Sequence, residues 1–405
     1  MENEHRGVQR MNICLIIGGH YPPFPHGGVG SFAVDLSEGI VKYGHQVTCI
    51  SFYSSDELNY DHIITEMING VKIIRVPKPY QQLTKRTRAI FEKFFIAKLV
   101  RDLHRTDPFD IIECEDGGGL LALGRLPDIP KIARLHATTI YNDYVLKRKP
   151  SRLNHLFEYL WLRRANYLVA VSDYVGRTTL DLTHLADKKK YSVIHLAINT
   201  DLIKPDWSIA VEPGLIVFTG VVAPRKGVLE LIQAMNIVFA RDKNARLWII
   251  GDNEYLVNGF PYARQIIAHL EGEFRERVLF MGNQTRYDLP GFIQKAELCC
   301  FPSHVETFGI GIIEAMAMEK PVIYMNTGPG PEIIEDRISG LLCDTWNPSD
   351  IADKILCLLT NPKAAQEIGR NARQRVVSKF DLKPWLIKNM DFYNDCIQQY
   401  LSAKS

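Results

Sequence analysis

The sequence predicts an α/β fold with two domains, each built around a parallel sheet. Short apolar runs typical of strands alternate along the chain with longer runs of helical pattern, and this alternation is typical of parallel sheets joined by right-handed crossovers. At 405 residues, the chain exceeds what one hydrophobic core usually supports. Hydrophobic residues make up 46% of it, so we expect it to fold throughout.

The strand candidates fall into two sets along the chain. The first set covers residues 13–17, 47–52, 71–76, 111–113, 131–135 and 167–171. The second set covers residues 191–195, 215–219, 246–250, 278–281, 298–301 and 321–324. Because ligands of open parallel sheets bind beyond the carboxyl ends of the strands, we expect binding loops after Ile17, Thr219 and Phe301.

Composition and charge argue against several classes of protein. The 48 Lys and Arg residues and the 46 Asp and Glu residues leave a formal net charge of +2, which argues against nucleic acid as the main partner. The eight cysteines include no Cys-x-x-Cys pair and are interpreted as reduced core residues of a cytoplasmic protein. No segment approaches the roughly 18 to 20 apolar residues of a membrane span.

Two carboxylates, Glu306 and Glu314, stand eight residues apart across Phe308, Gly309 and Ile310. The small residues allow a backbone turn to approach a ligand, and a helix is predicted from Ile310 onwards. Its first amides would face a phosphate. One carboxylate could then hold hydroxyls of a sugar and the other a ribose. For the spacing alone, an amphipathic helix with two surface acids is an equal alternative.

A second motif, at residues 220–227, follows the predicted strand at 215–219 and carries Arg225 and Lys226. If a sugar nucleotide binds near Glu306 and Glu314, departure of its nucleoside diphosphate would build negative charge on the β-phosphate. Fixed positive groups stabilise such a charge. Arginine can grip phosphate oxygens with two N–H groups, and lysine supplies a compact charge. Taken alone, such a basic pair is more often solvated surface.

Other positions follow predicted strands in the same way. Gly27 and Gly28 lie in a Gly-rich turn whose backbone N–H groups could approach a diphosphate. Its spacing matches neither the dinucleotide-binding pattern nor the phosphate loop of nucleotide kinases, and a simple tight connection is the alternative. His136 follows the strand at 131–135, where a histidine that only caps the strand end is the alternative. Asn283 follows the predicted strand at 278–281, in a loop expected to rim a nucleotide pocket.

Taken in order, these motifs resemble those of the retaining GT-B glycosyltransferases of family 4, also called glycosyl transferases group 1. Glu306 and Glu314 resemble the family's Glu-x7-Glu element, and residues 220–227 resemble its basic phosphate loop. The opening at residues 11–51 and the Gly/Pro/Glu loop at residues 323–334 are similar too. The resemblance covers nearly the whole chain.

The resemblance implies a GT-B fold, in which two Rossmann-like domains with doubly wound parallel sheets face a cleft. Residues 1–203 would form the acceptor-side domain and residues 204–383 the donor-binding domain. A helix at about 384–405 would pack back on the first domain. We expect the catalytic site in the cleft, where closure keeps water away from a reactive glycosyl intermediate.

The resemblance also implies roles for individual residues. Catalysis would involve Glu306, Arg225, Lys226 and His136, with His136 positioning the sugar. Donor binding would involve Arg225 and Lys226 again, together with Gly27, Gly28, Asn283, Phe308, Gly309, Ile310 and Glu314. The chain departs from the family pattern at Val221, where the family commonly has arginine, so Arg225 is expected to supply the missing charge.

The implied function is transfer of a hexose-type sugar, with retention, from a nucleoside-diphosphate sugar, with UDP-sugar as the expected donor. The acceptor would be a hydroxyl of a glycan, a lipid-linked molecule or a small molecule. The chain contains no Asp-x-Asp pair, and His and Cys do not cluster at metal spacings, so we predict transfer without a metal or cofactor. Two alternatives are a GT-B sugar-nucleotide epimerase and a non-catalytic sugar-nucleotide-binding partner.

Acceptor recognition is assigned to the first domain. Glu115 and Asp116 would offer carboxylates to acceptor hydroxyls, with an ordinary polar turn as the equal alternative. Basic and aromatic residues interleave from Lys85 to Arg105, and such a surface can rest on anionic lipid. A peripheral contact with the inner face of a membrane is therefore one interpretation, and a domain helix with an aromatic core side is the other.

Overall fold

The computed structural model describes residues 10–21, 28–53, 62–77 and 84–405. The chain divides into two compact units, one comprising Met1–His195 with Lys383–Ser405 and the other Leu196–Leu382. Each unit is an α/β structure around its own, largely parallel sheet. This confirms the α/β class with two parallel sheets that the sequence predicts.

The first unit contains, among the described residues, an eight-stranded sheet. Its strands are β1 (Asn12–Ile16), β2 (Gln46–Tyr53), β3 (Ile64–Ile68), β4 (Val71–Pro77), β5 (Ile111–Glu115), β6 (Lys131–Leu135), β7 (Tyr167–Ala170) and β8 (Ser192–Val193). Their order across the sheet is β3-β4-β2-β1-β5-β6-β7-β8, and β3 pairs antiparallel with β4. Every residue of β1 is buried, as expected for a parallel strand covered on both faces.

Helices connect these strands. They are α1 (Gly28–Lys42), α2 (Lys85–Thr106), α3 (Thr139–Val145), α4 (Arg152–Arg164) and α5 (Asp173–Leu182). In α1, Phe32, Leu36 and Ile40 are buried at four-residue intervals, the spacing that gives a helix one apolar face. Thr138 caps α3, because its hydroxyl accepts the Tyr141 N–H at 2.9 Å.

The second unit is built around a parallel sheet that carries the motifs of the C-terminal half. The strands of the second unit are β9 (Leu215–Thr219), β10 (Arg246–Ile250), β11 (Leu256–Val257), β12 (Phe260–Pro261), β13 (Val278–Gly282), β14 (Leu298–Phe301), β15 (Val322–Met325) and β16 (Leu341–Cys343). The sheet order is β13-β10-β9-β14-β15-β16, and β11 and β12 form a separate hairpin. Strands β9 and β14 are neighbours, so their following loops lie side by side.

Helices connect the strands of the second unit as well. They are α6 (Val228–Arg241), α7 (Tyr262–Ile266), α8 (Leu289–Lys295), α9 (Ile310–Ala317), α10 (Gly330–Ile333), α11 (Pro348–Thr360) and α12 (Pro362–Lys379). Helix α6 packs against α11, and α9 packs against α12. Helix α9 begins at Ile310, where the sequence predicts a helix start, so Glu306 precedes it and Glu314 is its fifth residue.

The connection near residue 200 belongs to the second unit. The Ile198 N–H donates to the Phe380 carbonyl at 3.0 Å, and the Leu382 N–H donates to the Ile198 carbonyl at 2.9 Å. Because of this pairing, the two units separate between 195 and 196 and between 382 and 383, whereas the sequence placed these boundaries after 203 and 383.

The last helix, α13 (Leu382–Ser402), lies mostly in the first unit. Tyr393 donates its hydroxyl to Glu113 at 2.8 Å, and Asn389 accepts from Arg134 at 2.7 Å. Helix α13 is thereby bonded to β5 and β6. Among the described helices, none is long and apolar enough to cross a membrane.

Candidate functional site

The loop after β9 turns sharply at Gly227, just before α6. Gly227 has φ 64°, and a Cβ added there would lie 1.8 Å from the carbonyl oxygen of Pro302. A side chain is therefore excluded by both backbone conformation and space. The position of this glycine brings the loop after β9 against the loop after β14.

Backbone hydrogen bonds hold these two loops together. The carbonyl of Arg225 accepts the N–H of His304 at 2.9 Å and the N–H of Val305 at 3.3 Å. The His304 ring lies 3.0 Å from the Glu230 carboxylate of α6 and stacks on Trp346, with 3.5 Å between ring centroids. The segment that leads to Glu306 is thus fixed on several sides.

The contact between the loops after β9 and β14 forms an ion pair between two residues that the sequence analysis singled out. Lys226 Nζ contacts Glu306 Oε1, and the Ser303 hydroxyl donates to the same carboxylate oxygen at 3.1 Å. The side chains of Lys226 and Glu306 are 18% and 11% exposed, so both stay accessible to a small ligand. A cation and a hydrogen-bond acceptor are therefore held together at the carboxyl edge of the sheet.

The turn before α9 is built from a buried aromatic residue and a glycine. Phe308 is fully buried against Phe380, with ring centroids 5.5 Å apart, and its carbonyl accepts the Tyr324 hydroxyl at 3.0 Å. Gly309 follows with φ 108° and precedes Ile310, the first residue of α9. The Phe308 side chain thus supports the turn from the core, and Glu314 is half-buried one turn into the helix.

Asn283 lies on the same edge of the sheet. It is exposed and directly follows β13. Backbone hydrogen bonds join the ends of β9, β10 and β13. The Gly220 N–H donates to the Ile250 carbonyl at 2.8 Å, and the Gly251 N–H donates to the Gly282 carbonyl at 2.9 Å. The half-buried Arg225 belongs to the loop after β9, so Arg225 and Asn283 share this edge.

In the first unit, His136 directly follows β6 and is buried. Its backbone N–H donates to Asp116 Oδ1 at 3.1 Å, and its ring meets Phe32 edge-on with centroids 4.6 Å apart. Burial, together with the nearby Arg134 guanidinium, lowers the pKa of His136 to about 3. The imidazole is therefore neutral at neutral pH, which suits hydrogen bonding to a sugar better than service as an acid.

A model of the Glycosyl transferases group 1 family matches residues 199–375 of this chain. A model of Glycosyltransferase Family 4 matches residues 26–202. The chain belongs to the family 4, group 1 glycosyltransferases. It is 29% identical over 388 residues to an uncharacterized glycosyltransferase of Methanocaldococcus jannaschii, an alignment that covers 91% of this chain and 94% of the relative.

Solved structures confirm the GT-B fold of this family 4 glycosyltransferase. Sucrose-phosphate synthase from Thermosynechococcus elongatus superposes with a TM-score of 0.78 at 20% identity, covering 98% of this chain and all of that one. The Anabaena protein HepE, in complex with UDP-glucose, superposes with a TM-score of 0.72 at 18% identity, covering 97% of this chain and all of that one. The comparisons favour neither an epimerase nor a non-catalytic partner.

Glu115 and Asp116, at the end of β5 of the glycosyltransferase, both contact backbone amides. Strand β5 extends to Glu115, two residues further than predicted, because Glu115 pairs with Arg134 of β6. The Glu115 carboxylate accepts the Gly18 N–H at 2.9 Å, and burial raises its pKa to about 7.

Of the two glycines that the sequence places in a Gly-rich turn, Gly28 is the first residue of α1, and Gly27 lies outside the described residues.

Asp116 is only 1% exposed. Its Oδ1 accepts the N–H groups of His136 and Ala137 at 3.1 and 3.2 Å. Burial, followed by the charge of Glu158, raises the pKa of Asp116 well above its usual value. Asp116 therefore fixes the turn that carries His136, and we do not propose it as an acceptor ligand.

Glu158 of α4 is a residue that the sequence analysis missed. It is fully buried and accepts the N–H groups of Gly118, Thr139 and Ile140 at 2.8, 2.7 and 3.0 Å. One carboxylate thereby joins the turn after β5 to the start of α3. Its sequence signal was an acid on the same helix face as the buried Trp161, where an apolar residue is expected.

Proposed function

We propose that this glycosyltransferase moves a hexose-type sugar, with retention and without a metal ion, from a nucleoside-diphosphate sugar to an acceptor hydroxyl. UDP-sugar is the proposed donor. The observation that carries the proposal is the accessible contact of Lys226 with Glu306, which Ser303 also bonds. That HepE has been solved with UDP-glucose supports the choice of nucleotide.

Charge determines the proposed roles of the second unit. In the transfer, the bond between the anomeric carbon and the bridging phosphate oxygen breaks, and its electron pair stays on that oxygen. Lys226 and Arg225 would stabilise the negative charge on that oxygen. The backbone amides that follow Gly309, at the start of α9, would add to this effect. The acceptor oxygen forms the new bond on the same face, and its proton passes to a phosphate oxygen.

The remaining donor roles are hydrogen bonding and positioning. Glu306 would accept hydrogen bonds from hydroxyls of the transferred sugar, and Glu314 from the ribose. Asn283, exposed at the end of β13, would meet the base. In the first unit, neutral His136 would position the sugar, while the backbone amides at Gly27 and Gly28 would meet the diphosphate.

The donor proposal predicts a specific pattern of ligand stabilisation. UDP or one UDP-sugar is expected to raise the melting temperature of the purified protein in the presence of EDTA as well as in its absence. A ligand at a hundred times its Kd stabilises by about 2.7 kcal/mol. Differential scanning fluorimetry with a panel of nucleoside diphosphates measures this shift. A shift abolished by EDTA would contradict metal independence, and no shift with any nucleotide would contradict the donor site.

The acceptor proposal includes contact with an anionic membrane through α2. This helix carries seven Lys and Arg residues against two acids. Its buried side includes Ile96 and Val100, but Ile90, Phe91 and Phe94 are 39%, 49% and 51% exposed. Exposed aromatic residues among cations favour the interface of anionic lipid, and a lipid-linked acceptor would be found there.

Vesicle binding tests the membrane contact. The protein is expected to sediment with vesicles of phosphatidylcholine and phosphatidylglycerol, and less with phosphatidylcholine alone. The double variant Phe91→Ser/Phe94→Ser should lower the partition coefficient on the order of tenfold. Trp207→Ser, which removes a 75% exposed aromatic residue of the second unit, is the matched control. Equal binding by all three proteins would rule out α2 as the contact.

A further inference from the structure

The ring of His304 lies beside the turn that follows Lys226. His304 is the second residue before Glu306, in the loop after β14, and its side chain is only 4% exposed. A Cβ built on Gly227 would lie 3.5 Å from the Cε1 atom of this ring, so the imidazole covers the space next to the glycine that follows Lys226. One buried ring therefore borders the loops that hold both members of the Lys226–Glu306 pair.

Each nitrogen of the His304 ring meets a polar side chain from another element. Nδ1 lies 3.1 Å from the Thr345 hydroxyl, within hydrogen-bond distance. Nε2 lies 3.0 Å from a carboxylate oxygen of Glu230, although without the alignment of a hydrogen bond. Glu230 belongs to the first turn of α6, and Thr345 lies just after β16. The ring thus joins the loop after β14 to two further elements of the second unit.

Trp346 covers one face of the His304 ring. The two rings are nearly parallel, with 7° between their planes and 3.5 Å between their centroids. The backbone N–H of Trp346 donates to the Asp344 carboxylate at 3.0 Å, which holds the covering residue in place. A phenyl ring at position 304 could make the same stack, so the contacts of the two nitrogens are what a histidine adds at this position.

We infer that His304 is a positioning residue for sugar transfer, whose ring nitrogens set where the Glu306 carboxylate stands relative to Lys226. This inference rests on the proposed function. The backbone N–H of His304 donates to the Arg225 carbonyl at 2.9 Å, so a movement of the ring also moves the loop that leads to Glu306. Loss of the nitrogen contacts should slow transfer through Glu306, whereas UDP, which Lys226 and Arg225 would hold, should bind as before.

Three substitutions separate the shape of the ring from its nitrogens. His304→Phe keeps a ring that can stack on Trp346 and removes both nitrogens, so it is expected to slow sugar transfer about tenfold, because small displacements of a positioned group are costly. His304→Gln restores an amide N–H near the position of Nε2 and should recover most of that loss. Thr345→Val removes only the hydroxyl and should slow transfer by less. The double variant His304→Phe/Thr345→Val should be no slower than His304→Phe, because the hydroxyl acts through the ring.

Single-turnover release of UDP from a UDP-sugar that the wild type uses measures the rate, and titration calorimetry with UDP measures the affinity. His269→Phe makes the same chemical change at an exposed histidine of the second unit and should match the wild type in both. A wild-type rate in His304→Phe, or a loss of UDP affinity as large as the loss of rate, would overturn the inference. Failure of the wild-type protein to bind UDP would instead overturn the proposed function. If His304→Phe does not fold, the rate of Thr345→Val decides.

Discussion

Replacement of Glu306 by alanine is expected to lower kcat for sugar transfer by about 10²–10³-fold, the range seen when one group that stabilises a transition state is removed. UDP binding should be kept. In the structure, Glu306 competes for the Lys226 ammonium, so its removal leaves that cation available to the diphosphate. Titration with UDP and single-turnover transfer from a UDP-sugar measure the two effects separately.

The matched substitution Lys226→Ala is expected to behave differently. It removes a cation from the proposed diphosphate site and leaves the Glu306 carboxylate beside it. UDP binding and transfer should therefore fall together, because a negative ligand then meets an uncompensated negative charge. The difference in UDP affinity between the two variants therefore tests the roles assigned to Glu306 and Lys226.

Controls for this pair come from the same unit. Lys295 and Glu212 form a surface ion pair 3.8 Å long, so Lys295→Ala and Glu212→Ala make the same chemical changes away from the proposed site and should bind UDP as the wild type does. Equal loss of UDP affinity in Glu306→Ala and Lys226→Ala would refute the division of roles. Full transfer activity in both would refute their place in the reaction.

Several inner strands of the two sheets could be predicted from the sequence. Residues 131–135, 215–219, 246–250 and 298–301 are strands with the predicted bounds. The predicted strand at 191–195 is reduced to β8, which spans two residues at the edge of the sheet. Edge strands have one neighbour only, so fewer ladder bonds define where they end.

Two hairpins were missed, although their turn signal was present. Strands β3 and β4 are joined by Asn69 and Gly70, and β11 and β12 by Asn258 and Gly259, all with positive φ. Asn-Gly is the strongest short-range hairpin signal. Strand β16 has three residues, too few to show a period. None of these three features follows the alternation of longer strands and helices from which the other elements are predicted.

The site could be predicted in part. The sequence predicts that the loops carrying Lys226 and Glu306 follow strands at the binding edge of a parallel sheet. That the two side chains meet depends on the pairing of β9 with β14, which are not consecutive strands, and this pairing was not predicted. The partner of Glu115 could not be inferred, because it depends on the pairing of β1 with β5 across a long stretch of chain. Phe308 has its side chain in the core, and apolar composition alone cannot distinguish a ligand contact from a core contact.

Loss of the Glu113 carboxylate is expected to destabilise the first unit by about 3–5 kcal/mol, the usual effect of leaving one partner of a buried ion pair unpaired. Glu113 and Arg134 are each 1% exposed and share two hydrogen bonds of 2.6 and 2.9 Å. Glu113 also accepts the Tyr393 hydroxyl of α13 at 2.8 Å, so Glu113→Ala weakens the contact that holds the last helix as well.

Tyr393→Phe is the milder substitution in the same network. It removes the hydroxyl that donates to the charged Glu113 and should lower the free energy of unfolding by about 1.5–3 kcal/mol. Urea unfolding followed by far-UV circular dichroism measures both variants. Because the chain forms two compact units, the change should fall in the transition of the unit that contains most of α13. Combining Glu113→Leu with Arg134→Met should recover much of the lost stability, since replacing both charges by apolar groups leaves neither unpaired. If that double variant is less stable than Glu113→Ala, the network stabilises the fold through its hydrogen bonds and not merely by pairing its charges.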